Sequence, residues 1–273
     1  MERLLMCTPE GFSVSYEINP WMRDQAGRVS QPLAVSQWQA LHARLSSLAK
    51  VELMQGSALW PDLVFTANAG LPIAVRRQFI LSNFKHRERR GEQALDRAWF
   101  EAAGWDCIEL PEQVSFEGAG DALFDADGRL WLGFGHRSDA GALEHLARYI
   151  DAPMHSLRLI DADYYHLDTC FCPLSDGYAL YLPGAFDAAS RRLLQQGFGE
   201  RLIELTAKEG RLFCANSVCV GKSVVMNRAS SRLTQLLGAA GFTVYQTPMS
   251  EFMKSGGSAK CLTLCISGAL LGA

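Results

Sequence analysis

One recurring pattern limits what this chain can fold into more than any other feature. A stretch with helical periodicity leads through a glycine or acidic break to a short β-rich run, a polar turn follows, and a second apolar run closes the unit. "EQALDRAWFEAAGWDCIELPEQVSFEGAGDALF" is one copy; "GALEHLARYIDAPMHSLRLIDADYYHLDTCFCPL", "SRRLLQQGFGERLIELTAKEGRLFCANSVCVGKSVVMN" and "SSRLTQLLGAAGFTVYQTPMSEFMKSGGSAKCLTL" are three more. The early segment "QWQALHARLSSLAKVELMQGSALWPDLVFTANAGLPIAV" fits the same template and makes five. Their polar turns hold Asn68, Glu117, His166, Asn216 and Cys261, at intervals of 49, 49, 50 and 45 residues. A period of about 50 residues marks stacked or circular supersecondary modules. Kelch-type blades have this length but are four-stranded, whereas each unit here carries an amphipathic helix such as "EQALDRAWFEAAG". The expectation is an α/β ring of five strand-helix-strand units, strands inside and helices outside, forming one domain over residues 1–273. Rotation would bring the five turns to a common cavity at one end of the ring axis.

Composition agrees with a packed ring and removes several functions. Hydrophobic residues make up 48% of the chain, enough for a substantial core. The net charge of −3 has both signs interspersed, with no basic stripe or polybasic segment, so nucleic acid and a membrane surface are not expected as partners. "MERLLMCTPEGFSVSYEINPWM" meets Pro9 and Gly11 after one short apolar patch, which fits neither a signal peptide nor a spanning helix. Eight cysteines without a secretory signal argue for reduced thiols and a cytoplasmic location. Whether subunits pair into a homo-oligomer is open at this level.

The turns carry the chemistry. Cys261 follows Gly256 and Gly257, which permit backbone conformations closed to other residues and can present a thiol to a cavity. By the repeat, His166 occupies the equivalent position, and a thiol near an imidazole is the minimal arrangement for nucleophilic catalysis. Asp168 can orient that imidazole or bind substrate. Glu117 and Asp121 in "FEGAGD" are two acids whose burial calls for a cation, and a planar guanidinium would satisfy both. Arg87 and Arg137, each a few residues after a β-rich run, are candidates to clamp a carboxylate. Alternation along "HLDTCFC" would put His166, Asp168, Cys170 and Cys172 on one strand face, but no metal-knuckle spacing accompanies them, so no metal is expected. No phosphate-loop or dinucleotide fingerprint occurs, and no cofactor is expected. "DADGRLW" lacks the closing glutamate of a calcium loop and reads as a hairpin turn.

Five ordered motifs, "INPWM", "VFTANAG", "FEGAGD", "HLDTCFCPL" and "GGSAKCLTL", resemble the guanidine-modifying enzyme superfamily almost along the whole chain. That resemblance implies the five-bladed α/β propeller called the pentein fold, in agreement with the repeat. It also implies a hydrolase of the guanidino group of arginine or methylated arginine, with Cys261 as nucleophile and His166 as general acid and base. Glu117 and Asp168 would grip the guanidinium, Asp121 would be a further acid, and Arg87 and Arg137 would hold the substrate carboxylate. Asp62 and Asn68 belong to "PDLVFTANAG". Members that stop at citrulline usually place an acid at the position of Asn68, so the amide points to an arginine dihydrolase, which proceeds through citrulline to ornithine, ammonia and carbon dioxide. Arginine deiminase, dimethylarginine dimethylaminohydrolase and amidinotransferase activities, and a non-catalytic pentein binding role, are the alternatives.

Overall fold

A computed structural model describes residues 2–267. In chain order, β1 (Arg3–Cys7), helix α1 (Gln31–Ser46) and β2 (Lys50–Met54) begin the fold. Then come β3 (Gly70–Ile73), β4 (Gln78–Leu81), α2 (Glu92–Ala102) and β5 (Asp106–Ile108). β6 (Ala122–Phe124), β7 (Leu130–Phe134), α3 (Ala142–Leu146) and β8 (Met154–Arg158) follow. Next are β9 (Phe171–Pro173), β10 (Ala179–Tyr181), α4 (Ala188–Phe198), β11 (Leu202–Glu204) and the short α5 (Ala207–Arg211). β12 (Val218–Val220), β13 (Ser223–Met226), α6 (Ser231–Ala239), β14 (Thr243–Gln246), the short α7 (Ser250–Met253) and β15 (Leu264–Cys265) complete the described chain.

These strands form five separate three-stranded sheets. In each, an antiparallel pair is extended by a third strand parallel to the centre strand, reached through the helix, as in β3–β4–β5 across α2. A parallel neighbour needs such a crossover because a hairpin reverses direction. The unit therefore has three strands where the sequence suggested two. Its strands are only two to five residues long and largely buried, so they show no alternation from which to count them. The hairpin at "DADG" is as expected: Gly128 takes φ +78°, and Asp125 Oδ1 accepts from the amides of Asp127 and Arg129.

The first and last described strands share one blade. β15 lies antiparallel to β1, with Leu5 opposite Leu264, and β1 is parallel to β2. The N-terminal "RLLMC" is thus a centre strand, which a template beginning at each helix left without a place.

Hydrogen bonds between successive polar turns close the ring. Asn68 Nδ2 donates to Glu117 O (3.4 Å), the amide of Leu167 to Asp121 Oδ1 (3.0 Å), and Asn216 Nδ2 to Asp168 O (3.0 Å). The amide of Cys261 donates to Asn216 Oδ1 (3.1 Å), and that of Ala67 to Cys261 O (3.1 Å), returning to the first turn. Apolar packing outside this circle holds the helices to the sheets. Phe100 of α2 stacks on Phe79 of β4 at 3.5 Å between ring centroids and meets Trp105 edge-on.

Candidate active site

Cys261 and His166 are both buried, 2% and 1% exposed, and belong to this circle of turns. Local backbone chemistry puts the thiol there. Gly256 adopts φ +82°, and a Cβ on it would strike Tyr165 and Asn19; a Cβ on Gly257 would overlap the Phe65 ring. The loop therefore turns tightly against three neighbouring segments. Cys261 Sγ lies 3.1 Å from Asn216 Nδ2 and 3.4 and 3.6 Å from the two oxygens of Asp168. Burial pushes the thiol well above its ordinary pKa, and the Asp168 carboxylate adds to the rise; hydrogen bonds from Ser258 and Asn216 and the charge of Lys260 oppose it. Asp168 is itself pushed up to about 6 by burial, with Lys260, Cys261 and Asn216 pulling the other way.

His166 is anchored through one nitrogen only. Its Nε2 lies 2.8 Å from Glu117 Oε2, while Nδ1 is buried with no partner among the described residues. Arg137 Nη1 donates to the same Glu117 oxygen at 2.9 Å, and Ser138 Oγ accepts from the Glu117 amide. Burial alone would raise the Glu117 carboxyl. The Arg137 guanidinium, the His166 hydrogen bond and charge, and Arg89 outweigh it and hold the group well below the usual carboxylate range. Expected as a strand face, "HLDTCFC" instead folds as a 3-10 turn over Leu167–Thr169, and only Phe171–Pro173 is strand. Among the described residues no three His, Cys, Asp or Glu side chains cluster as a metal would need.

Asn68 faces this set from the first turn. Arg89 Nη1 donates to its Oδ1 at 2.8 Å, which directs the Nδ2 group toward Glu117 O and Gly120. A Cβ at Gly120 would overlap that nitrogen and approach the His166 ring, so glycine there lets the amide and imidazole come together. Arg89 is held by Glu92 through two bonds of 2.9 and 2.7 Å, both residues fully buried.

Four expected residues sit differently. Asp121 directs its oxygens to the protein itself: Oδ2 accepts from the Ser138 amide and hydroxyl (3.2 and 2.6 Å) and Oδ1 from Leu167 N, so it braces the turns that carry Arg137 and His166. Arg87 is outside the buried set, its side chain 90% exposed and paired with Glu88. Arg137 is buried, but Nη1 is committed to Glu117 and Nη2 to the Ile18 carbonyl. Asp62 is tied to Tyr16 (3.0 Å) and Ser255 (2.9 Å), linking the N-terminal segment to the glycine loop. That segment crosses the site: Asn19 Nδ2 donates to Ser255 O and Trp21 Nε1 to Asp163 O.

Sequence reasoning gave no role to Arg89, Glu92 or Asn216. Asn216 had a usable signal, standing 50 residues after His166 in the register of turns. Arg89 had none, because "KHRERR" offers several cations and only the fold tells which is buried.

Comparison with known proteins agrees with this geometry. A family model described as N,N dimethylarginine dimethylhydrolase, eukaryotic, matches residues 11–267. The bifunctional arginine dihydrolase/ornithine cyclodeaminase ArgZ of Synechocystis is 47% identical over 98% of this chain, and the N(G),N(G)-dimethylarginine dimethylaminohydrolase of Mycobacterium tuberculosis is 34% identical over 96% of it and 85% of its own length. The chain spans 38% of the length of ArgZ. A crystal structure of the ArgZ N-terminal domain bound to substrate superimposes with a TM-score of 0.96 at 46% identity, covering 98% of both chains. Fold, turn register and sequence agree, and the chain belongs to the dimethylarginine dimethylaminohydrolase-like family of the pentein superfamily.

Proposed function

We propose that this chain hydrolyses arginine in two rounds, through citrulline, to ornithine, two ammonia molecules and carbon dioxide. In the first round the Cys261 thiolate attacks the guanidinium carbon, forming a C–S bond. His166 gives a proton to the departing nitrogen as the C–N bond breaks and ammonia leaves, producing an amidino-cysteine. His166 then takes a proton from water, which adds to the same carbon and expels the sulfur, yielding citrulline. The second round repeats the attack on the ureido carbon, again releasing ammonia. Hydrolysis of the thiocarbamate leaves a carbamate that loses carbon dioxide to give ornithine.

The observation that carries this reading is His166, fixed by Glu117 through Nε2 with Nδ1 unpartnered, in the same ring of turns as Cys261. A buried free nitrogen in the turn that also carries Asp168, whose carboxylate contacts Cys261, suits transient proton transfer. Because burial and Asp168 keep the thiol protonated at rest, an arriving guanidinium cation between Asp168 and Glu117 would favour the thiolate electrostatically. Asn68 supports a second round: its NH2 group is a neutral donor that a ureido oxygen can accept from, whereas a carboxylate would repel that oxygen. ArgZ structures bound to product and covalently bonded to a reaction intermediate support the same reading. Arg87 would meet the substrate carboxylate by swinging in from solvent, while Arg137, committed to Glu117 and the Ile18 carbonyl, would act through Glu117.

All eight cysteines are free, in keeping with a reducing cytoplasm, and no described helix is long and apolar enough to cross a membrane. The test is product analysis by mass spectrometry after incubation with arginine, monomethylarginine, dimethylarginine and citrulline. Ornithine from arginine and from citrulline is expected. Dimethylamine released from dimethylarginine, without ornithine from citrulline, would instead favour the activity after which the family model is described.

A further inference from the structure

Asn216 is the most fully engaged polar side chain near the nucleophile. Its Oδ1 accepts two backbone N–H groups, from Ser258 (3.0 Å) and from Cys261 itself (3.1 Å). Its Nδ2 donates to Asp168 O (3.0 Å) and stands 3.1 Å from Cys261 Sγ. Two amide donors on one atom settle which end of the side chain is oxygen, so the atom facing sulfur is the nitrogen. The residue is wholly buried and joins three consecutive turns, those carrying Asp168, Asn216 and Cys261.

We infer that Asn216 is a catalytic residue whose N–H stabilises the Cys261 thiolate. The inference rests on Cys261 being the nucleophile. As a thiol, Cys261 directs its proton to Asp168, leaving a sulfur lone pair for Asn216. Loss of that proton places a full negative charge at the end of the same hydrogen bond. A bond to a charged acceptor is about twice as strong as a neutral one, so the interaction favours the thiolate over the thiol. The gain recurs when sulfur leaves the tetrahedral intermediate and becomes thiolate again. Two donors polarise the far end of the amide, which strengthens its N–H, and the fixed position means no reorganisation is needed when charge appears. The opposing influence is Asp168, whose carboxylate sits on the other side of the sulfur.

The experiment measures alkylation of Cys261 by iodoacetamide across a pH series, quantified on the Cys261 peptide by mass spectrometry so that the other cysteines do not contribute. Asn216→Asp keeps the acceptor for Ser258 and Cys261 but replaces the donor with an oxygen; Asn216→Ser withdraws the donor from the sulfur, its hydroxyl being one bond shorter than the amide, without adding charge. Both should slow alkylation near neutral pH by about 10- to 100-fold, the span of a hydrogen bond to a charged group. Both should also move the midpoint of the pH profile upward. Arginine binding, measured by calorimetry in a Cys261→Ser background, should change less than about three-fold in the Asn216→Ser variant. A merely structural asparagine would leave the pH midpoint in place. A folded variant that alkylates at the wild-type rate with an unchanged midpoint overturns the inference. The unaltered fold provides a second readout: the Asn216 side-chain N–H resonance should titrate with the Cys261 midpoint and lose that transition in Cys261→Ser, and a pH-independent resonance would count equally against it. Turnover retained by Cys261→Ser would instead remove the nucleophile assignment, a separate failure.

Discussion

Two walls of the same site are built in opposite ways. The wall formed by the third, fourth and fifth turns holds Cys261 between an amide and a carboxylate whose pKa burial has raised to about 6, with Lys260 supplying an opposing positive charge. Facing it, Asn68 is backed by ion pairs: Arg89 with Glu92, and farther round Arg137 with Glu117. One wall carries the groups proposed to change charge during a reaction; in the other the ions are held by bidentate or shared hydrogen bonds, with burial raising Glu92 to about 7 even beside Arg89.

Disabling the labile wall should abolish chemistry and spare the fold. Cys261→Ser is expected to lower kcat by about 10⁴-fold or more with little change in thermal midpoint, read by steady-state kinetics and calorimetry. The locked wall predicts the reverse order of effects. Arg89→Met leaves Glu92 buried without its cation, at a cost of about 3–5 kcal/mol in chemical denaturation, and adding Glu92→Met should recover most of that loss. If the double variant is no more stable than the single one, the pair is not what holds this wall.

Asn68→Asp tests the boundary between the walls. It keeps the shape but gives Arg89 a second carboxylate partner and turns an oxygen toward the site, so ornithine release should fall at least about ten-fold while citrulline accumulates. Continued ornithine formation would separate the amide from the second round.

A pH series sharpens the contrast through Asp168. Its carboxyl must be ionised to hold a guanidinium, so kcat/KM for arginine should rise by up to about ten-fold per pH unit below about 6 and then level off, and Asp168→Asn should remove that limb. Stability runs the other way. The folded state holds this proton more tightly than the unfolded chain, so the contribution is present below the ordinary carboxyl range and lost as pH rises through about 6. Glu117 has the opposite sign: its depressed pKa stabilises the fold above the usual carboxylate range and is lost as pH falls through its folded value. The smallest effect is expected at Arg87, where alanine should raise KM for arginine several-fold, leave kcat within about three-fold and leave stability unchanged, because the side chain stands in solvent.

Much of this was legible in the chain. The interval of turns placed Glu117, His166, Asn216 and Cys261 on one circle before any coordinate, since rotation-related units bring equivalent positions together. Strand count was not legible: "LPIAVRRQFIL" is a complete hairpin whose reversal depends on Arg77 at φ +50°, a conformation no pattern announced. Burial of charge was equally hidden. On α2, Glu92, Asp96 and Phe100 share the buried face at four-residue spacing, and a hydropathy pattern would assign the two acids to solvent.

Local chemistry alone determined the period, the glycines that let the last turn approach its neighbours, and the residue types capable of nucleophilic and proton-transfer work, because each depends on spacing or on a single residue's backbone and side chain. Only the tertiary structure decided which of those groups are spent on holding one another. Asp121 became a brace, Arg87 remained in solvent, Arg89 became the cation behind Asn68, and Asn216 met the sulfur. A hydrogen bond across a ring seam depends on how five units close, and that closure joins residues far apart in sequence, beyond the reach of any local pattern.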